Sequence, residues 1–585
     1  MFPNYIFLFA VTVLLVFTRS CYTLNEQDFD DDNAVKIPLW ERIFRQFQQQ
    51  KKFSSGLGEV SMNVNQTCTL CHLMVDTLIF EMKNEMTLTQ LIFEIEYFCS
   101  ILNIEKENVC EGVITLNADI LTYIVKNQTK IDGTKICALI LQSIGCEKGN
   151  NYEWEIEIPP GNTVKKPKPD GKTKFNILHL TDLHYDPLYT ENKTKDCGEP
   201  LCCQNDQKKA NNASDACGYW SSPENADVPL HTIEAMLNQT QSHEFEYVYF
   251  TGDMVSHRVW DTSVESNKKI ITEILDQFVK YYKKPVYPVL GNHEAHPVNV
   301  FSPDEINGSL STQWLYDMIL EKWSWLPKDE VKDTILKGGY YTVLAQKGLR
   351  IVVLNNNVCS TENWWLIYDD RDPYGQLKWL AEVLHKAENN EEIVHILAHI
   401  PTKSCLKVWA REYRKIIERF SNTVAAQFYG HTHRDQIHIY YNNKSEAMNV
   451  GWNGGSLMPD EANPNYKLYT IDAKVFDVLD AETWTFNLTL ANEMKEIKWK
   501  KLYSFKEAYG MDGLLPANLD ELVRNMASND TFIELYNNFY YRDSDYDHTC
   551  DEACKMRLLC EMVTTEQGKD EVCEELKEIR QNLYT

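Results

Sequence analysis

The chain has 585 residues and a formal charge of −27. It is too long for one hydrophobic core, so two or three folding units are expected. The acidic balance argues against nucleic acid, since phosphate backbones need a basic surface, and it suits an acidic compartment, where protonated carboxylates repel one another less.

An apolar run, Ile6 to Phe17, precedes Thr18-Arg19-Ser20. It is too short to span a bilayer and sits where a signal-peptide core belongs, so residues 1–20 are expected to be a cleaved signal, with an anchor as the alternative. Residues 21–60 are polar and acidic, with Asp28, Asp30, Asp31 and Asp32 close together, and suggest a flexible lead. Seventeen cysteines, sixteen once Cys21 is set aside, fit an oxidising compartment. Sequons at Asn65, Asn127, Asn192, Asn212, Asn238, Asn307, Asn443, Asn487 and Asn529 support passage through the secretory pathway, making the protein a glycoprotein of the lysosome, the exterior or both.

Residues 64–147 carry Cys68, Cys71, Cys99, Cys110, Cys137 and Cys146 between stretches of helical apolar spacing, such as Leu116, Ile120, Leu121 and Ile124. A zinc reading of Cys68-x-x-Cys71 fails because the later cysteines are not paired at that spacing. Residues 150–173 are rich in proline and lysine and suggest an extended interdomain linker. From Lys174 short apolar strands alternate with helical stretches: 175–180, 247–251, 286–290, 350–354, 393–398 and 425–429, then hairpin-like strands at 436–441 and 466–471. The expected catalytic unit is 174–490, an α/β sandwich with covering helices. Residues 495–585 are expected to be a helical, disulfide-linked region with Cys550, Cys554, Cys560 and Cys573.

The catalytic strands end in a particular kind of residue. Asp182 and His184 follow the first, Gly252-Asp253 the second and Gly291-Asn292-His293-Glu294 the third. His399 follows the fifth and Gly430-His431-Thr432-His433 the sixth. Any one of these is commonly a plain loop; five in this order, each after a strand, point to a two-metal phosphoester site.

These motifs resemble the calcineurin-like metallophosphoesterase superfamily. The resemblance implies a four-layer α/β/β/α sandwich within an α+β multidomain chain, and a phosphoric diester hydrolase with two Zn2+ per chain. By position, Asp182, His184 and His433 would hold one metal and Asn292, His399 and His431 the other, with Asp253 bridging. The variant Gly252-Asp253-Met254-Val255-Ser256-His257 is similar to the acid sphingomyelinase family, as are the segments around Cys359 and Cys405. Ala398 and Thr402 depart from the usual Gly and Pro, which bears on loop shape only. His293 is the expected acid for the leaving oxygen. His257 would face the phosphoryl oxygens or, alternatively, orient a ligand. Glu362 would meet a choline ammonium beside Trp364 or Trp365; packing is the equal alternative for the tryptophans.

The N-terminal cysteines resemble a saposin B-type domain, implying Cys68–Cys146, Cys71–Cys137 and Cys99–Cys110. Elsewhere Cys197–Cys202, Cys203–Cys217, Cys359–Cys405, Cys550–Cys554 and Cys560–Cys573 are expected, with exchange open between the vicinal Cys202 and Cys203. The combination implies hydrolysis of membrane sphingomyelin to ceramide and phosphocholine by a monomer that approaches anionic lipid surfaces. The alternatives are a hydrolase of nucleotides or other small phosphodiesters, and a non-enzymatic lipid-transfer protein.

Overall fold

The computed structural model describes residues 64–84, 86–101, 104–146, 152–161 and 166–582, so the signal and acidic-lead readings lie outside the described residues. The chain divides into two compact units, one holding the N-terminal helices with Trp364–Asp370, the other Trp154–Asn363 and Arg371 onward.

The first unit is built from helices Val64–Lys83, Leu88–Ile101, Glu107–Asn127 and Gly133–Ile140. Its small core is the group Cys68, Cys71, Cys137, Leu141 and Cys146. Disulfides Cys68–Cys146, Cys71–Cys137 and Cys99–Cys110 tie its helices together, which limits the unfolded chain where few apolar residues are buried. The distant segment Trp364–Asp370 packs here. The Trp364 indole donates to Asn117 Oδ1 at 3.1 Å, Gln128 donates to the Tyr368 carbonyl at 2.6 Å, and Tyr123 packs edge-on to Trp365. An apolar cavity of about 240 Å³ opens among Met74, Leu78, Leu91, Ile114 and Leu121, with Trp364 and Ile367 also in its wall.

The second unit contains strands β1 (Lys174–Leu180), β2 (Tyr247–Phe250), β3 (Val286–Pro288), β4 (Tyr341–Gln346), β5 (Leu349–Val353), β6 (Ile393–Leu397), β7 (Val424–Tyr429), β8 (Ile437–Tyr441), β9 (Ala447–Asn453), β10 (Asn465–Asp472), β11 (Val478–Thr485) and β12 (Lys500–Ser504). They form two six-stranded sheets, ordered β12-β11-β10-β1-β2-β3 and β4-β5-β6-β7-β9-β8. Strands β1, β2 and β3 run parallel, as do β5, β6, β7 and β9. They read as continuous apolar runs because both faces are covered. Tyr249 on β2 reaches His395 on β6 at 2.9 Å, and Phe428 on β7 meets both Tyr249 and His179, so the sheets share one core. Helix Val264–Tyr281 covers the first sheet through Phe278 on Phe250, and helix Lys407–Arg419 covers the second through Tyr413, which donates to Gln427.

Strands β4, β9, β11 and β12 were not expected from the sequence. Strand β11 alternates buried and partly exposed positions under polar residues, and β12 is Lys-rich with its first three residues at least partly exposed. The region after 495 is helical as expected except at β12, which pairs with β11 ahead of the longer helices. Four longer helices then follow, from Pro516 to Gln581. The proline-rich segment is strapped to the second unit. Ile156 N–H donates to Glu412, Arg419 donates to the Pro159 carbonyl, Lys166 pairs with Asp477, and Asp472 accepts from Asp170 and Gly171.

Candidate metal centre

The seven residues taken from the motifs meet beyond the ends of the parallel strands. Asp182, His184, Asp253 and His433 bring their ligand atoms within 4.8 Å of one another, and Asp253, His399 and His431 do the same. Asp253 belongs to both groups: its Oδ2 lies 3.5 Å from His184 Nε2 and 3.0 Å from His399 Nε2. Asn292 Oδ1 sits 2.9 Å from His399 Nε2 and 3.0 Å from His431 Nδ1. This donor set, imidazole nitrogens with amide and carboxylate oxygens around a shared carboxylate, fits divalent metal binding.

Backbone strain marks the same residues. Asp182, His184, Asp253, His431 and His433 all have φ between 40° and 72°, a region that costs non-glycine residues of order 1–3 kcal/mol each. The surroundings hold them there. Asp182 N–H donates to the Gly252 carbonyl, and the Leu183 and His184 N–H groups to the Asp253 carbonyl. Buried Glu294 accepts from the N–H groups of Asp253, Met254 and Gly291. A Cβ on Gly252, itself at φ 97°, would stand 2.4 Å from the Gly291 nitrogen, and one on Gly291 would stand 2.1 Å from Asp253 Oδ1. No side chain fits at either position.

The imidazoles are aimed by carbonyls behind them. His184 Nδ1 lies 2.8 Å from the Val255 carbonyl and His399 Nδ1 lies 2.6 Å from that of Thr251. As donors there, both leave Nε2 facing the centre, the arrangement that raises ligand basicity. Burial works against the charge on Asp182 and Asp253, yet hydrogen bonds and charge from His184, His399 and His433 hold both carboxyls well below the usual range. They stand ready as anionic ligands.

Two histidines outside the ligand set adjoin it. The His257 ring lies over that of His184 at 3.9 Å and 4.5 Å from that of His293. Burial, reinforced by neighbouring imidazoles, holds both far below the usual histidine value, so both rest neutral. His293 Nδ1 faces the Ser256 carbonyl at 3.2 Å, and its N–H donates to Asp253 at 2.9 Å. Glu362 accepts from Asn299 at 2.6 Å, and burial pushes its carboxyl up to about 7. Trp364 and Trp365 belong to the other compact unit, where their rings are used for packing.

The sequence motifs did not single out several residues on which the centre depends. Asn356 Oδ1 accepts from the N–H groups of His399 and Ile400. Arg542, fully buried, donates to the carbonyls of His433 and Asn463, so the C-terminal region fixes a ligand's backbone. Asp227, 0% exposed, accepts from the His257 backbone N–H and faces its ring Nδ1 at 2.7 Å. Each is an ordinary residue in an unremarked stretch, and only the Asn355-Asn356-Asn357 run after β5 gave a local signal.

The eight disulfides also include Cys197–Cys202, Cys203–Cys217, Cys359–Cys405, Cys550–Cys554 and Cys560–Cys573. Of the nine sequon asparagines, eight are exposed and Asn487 is partly buried. Among the described residues no helix is long and apolar enough to cross a membrane.

Residues 175–435 match the calcineurin-like phosphoesterase family, and 456–579 match the acid sphingomyelin phosphodiesterase C-terminal region. The chain is 33% identical to the sphingomyelin phosphodiesterase of Bos taurus over 88% of this chain and 84% of that one, and 33% identical to that of Homo sapiens over 88% and 83%. It is 29% identical to the human cyclic GMP-AMP phosphodiesterase SMPDL3A over 65% of this chain and 86% of that one. With the metal-site geometry, these matches establish that the chain belongs to the sphingomyelin phosphodiesterase family and carries its phosphoester centre on a calcineurin-like domain.

Proposed function

We propose that the protein hydrolyses sphingomyelin to ceramide and phosphocholine, using two zinc ions. The observation that carries this is Asp253, whose carboxylate is shared by two clusters of ligands, with His257 and His293 beside them. Asp182, His184 and His433 would hold one ion and Asn292, His399 and His431 the other. When bound, such ions supply Lewis acidity toward the phosphoryl oxygens and make water acidic enough to attack phosphorus.

The chain's own residues do the rest. His257, beside His184, is assigned contact with a phosphoryl oxygen. His293 is assigned the acid that protonates the departing ceramide oxygen. With Nδ1 turned to the Ser256 carbonyl, its donating nitrogen is Nε2, so the acid form is the imidazolium. Burial disfavours that form, and an acidic medium restores it. Glu362 is assigned the choline ammonium.

The helical unit reads as a saposin-type domain, supported by its three disulfides and apolar cavity. Exposed Phe80 and Phe93 suit contact with lipid. A long-chain lipid loses about 0.8 kcal/mol for each methylene brought into water, so an apolar path from the bilayer is needed. Exposed sequons and the disulfides support a lysosomal or secreted glycoprotein. A nucleotide or other small phosphodiester is the second reading, favoured by the likeness to a cyclic GMP-AMP phosphodiesterase. Purified protein should release phosphocholine from sphingomyelin vesicles, lose the activity to a chelator and regain it with zinc. Release of free choline, or turnover unchanged by chelation, would refute the proposal.

A further inference from the structure

Strands β5 and β6 pair in parallel with Val353 beside Leu397, and the ladder runs one step further, where Leu354 N–H donates to the Leu397 carbonyl at 2.9 Å. There the chain leaves β5 for a short 3-10 turn, Asn356–Cys359, tied back by the Cys359–Cys405 disulfide. The next groups on the β6 side belong to His399 and Ile400, both fully buried. A side chain meets them in place of a strand. Asn356, 1% exposed, accepts on Oδ1 from His399 N–H at 3.0 Å and Ile400 N–H at 3.1 Å, and its Nδ2 donates to the Ile400 carbonyl. A carboxamide carries the donor and acceptor of a peptide group, so it extends the ladder past the last strand residue. Asn357, also buried, donates to the Leu290 carbonyl at 2.7 Å, just ahead of Gly291-Asn292. One turn thus holds two strand ends, and they carry two ligands of the same cluster, Asn292 and His399. The ligands of the other cluster are braced from elsewhere, Asp182 and His184 by the carbonyls of Gly252 and Asp253, and His433 by Arg542.

We propose that Asn356 is a positioning residue that sets the affinity of a single cation of the pair, the one assigned to Asn292, His399 and His431. This rests on the two-cation reading of the centre. Without the carboxamide, two N–H groups and a carbonyl in the interior lose their partner, a state that folded chains avoid. The His399–Ile400 segment then shifts toward other partners. With it moves an imidazole whose Nε2 stands 2.9 Å from Asn292 Oδ1 and 3.0 Å from Asp253 Oδ2. Partners that orient a ligand from behind typically govern metal affinity by about 10- to 100-fold.

Zinc binding to the whole chain, first stripped of metal and then titrated against a chelating indicator, tests this without substrate. The parent should take up two ions. In His433→Ala, the ion left is the one assigned to Asn292, His399 and His431, and adding Asn356→Leu should weaken its binding about 10- to 100-fold. In His431→Ala, the ion left is assigned to Asp182, His184 and His433, and the same addition should cost less than about threefold, as expected of sites that share no partner. Asn356→Ser, which keeps a shorter oxygen acceptor, should show the same preference between backgrounds at a smaller size. An equal loss in both backgrounds would make Asn356 a general packing residue and overturn the proposal, as would unchanged affinity in His433→Ala. Either result with two ions in the parent would leave the two-cation reading standing. Fewer than two ions in the parent would remove that reading and the proposal with it.

Discussion

The metal centre and the helical unit solve opposite problems. At the centre the groups are polar and buried, and five of seven ligands sit in a strained left-handed backbone held by specific hydrogen bonds. In the helical unit an apolar cavity is lined mainly by aliphatic side chains, and order is supplied by disulfides. Precision in the first region depends on individual atoms; capacity in the second depends on area. Substitutions should therefore act sharply and on every substrate in one region, and gradually and on membrane substrates alone in the other.

The largest effect is expected for Asp253→Ala. The shared carboxylate serves both ligand groups, so elemental analysis should find both metals depleted. The missing ions withdraw several kcal/mol of charge stabilisation, which at about 1.4 kcal/mol per decade is roughly a 10³- to 10⁴-fold loss on vesicle and soluble substrates alike. Full metal occupancy in this variant would break the account of the centre. His293→Ala comes next. It should keep its metals and lose about 10²- to 10⁴-fold on sphingomyelin, but much less on a nitrophenyl phosphodiester, whose leaving group needs no proton. Equal losses on both would remove the acid role.

A smaller effect is expected in the helical unit. Leu121→Glu places a charge in the cavity wall, and turnover of vesicle sphingomyelin should fall about 10- to 100-fold, the range of a few buried methylenes. A soluble phosphocholine ester should be cleaved at the parent rate. Parallel loss on both substrates would erase the division of labour. The smallest effect concerns Glu362. Its carboxyl is raised to about 7 by burial, so it becomes anionic only as pH rises through that value. The KM for a soluble choline ester should accordingly fall between pH 5.5 and 8, and Glu362→Gln should flatten that slope. The same shift makes a stability statement. A carboxyl raised in the folded state binds more protons there, so its contribution weakens between about pH 4.5 and 7, the window Glu362→Gln removes. A KM slope identical in the variant would contradict the choline contact.

The sequence showed the ligands because each ends a short apolar strand, and strand-end loops carry their chemistry in neighbouring residues such as Gly291-Asn292-His293. It did not show Asp227 or Arg542, since their partners lie far along the chain and no local pattern distinguishes a buried acid or arginine from a surface one. Among the strands, those buried on both faces stood out as apolar runs. Strand β12, whose exposed Lys500 and Lys501 and half-buried Leu502 precede Tyr503, read as helix. The tryptophans at 364 and 365 illustrate a third limit. Their nearness to Glu362 in sequence left a shared ligand and packing equally open, and their rings do pack within the helical unit.

The central claim is that a centre reading only the phosphoester is directed to a membrane lipid by the rest of the chain. The most direct measurement compares kcat/KM for sphingomyelin vesicles and for a soluble nucleotide diester, side by side at pH 5 and pH 7, with metal content recorded. The account predicts a clear preference for sphingomyelin, greater at pH 5, where His293 is more readily protonated. A preference for the nucleotide at both pH values, in fully metallated protein, would contradict it.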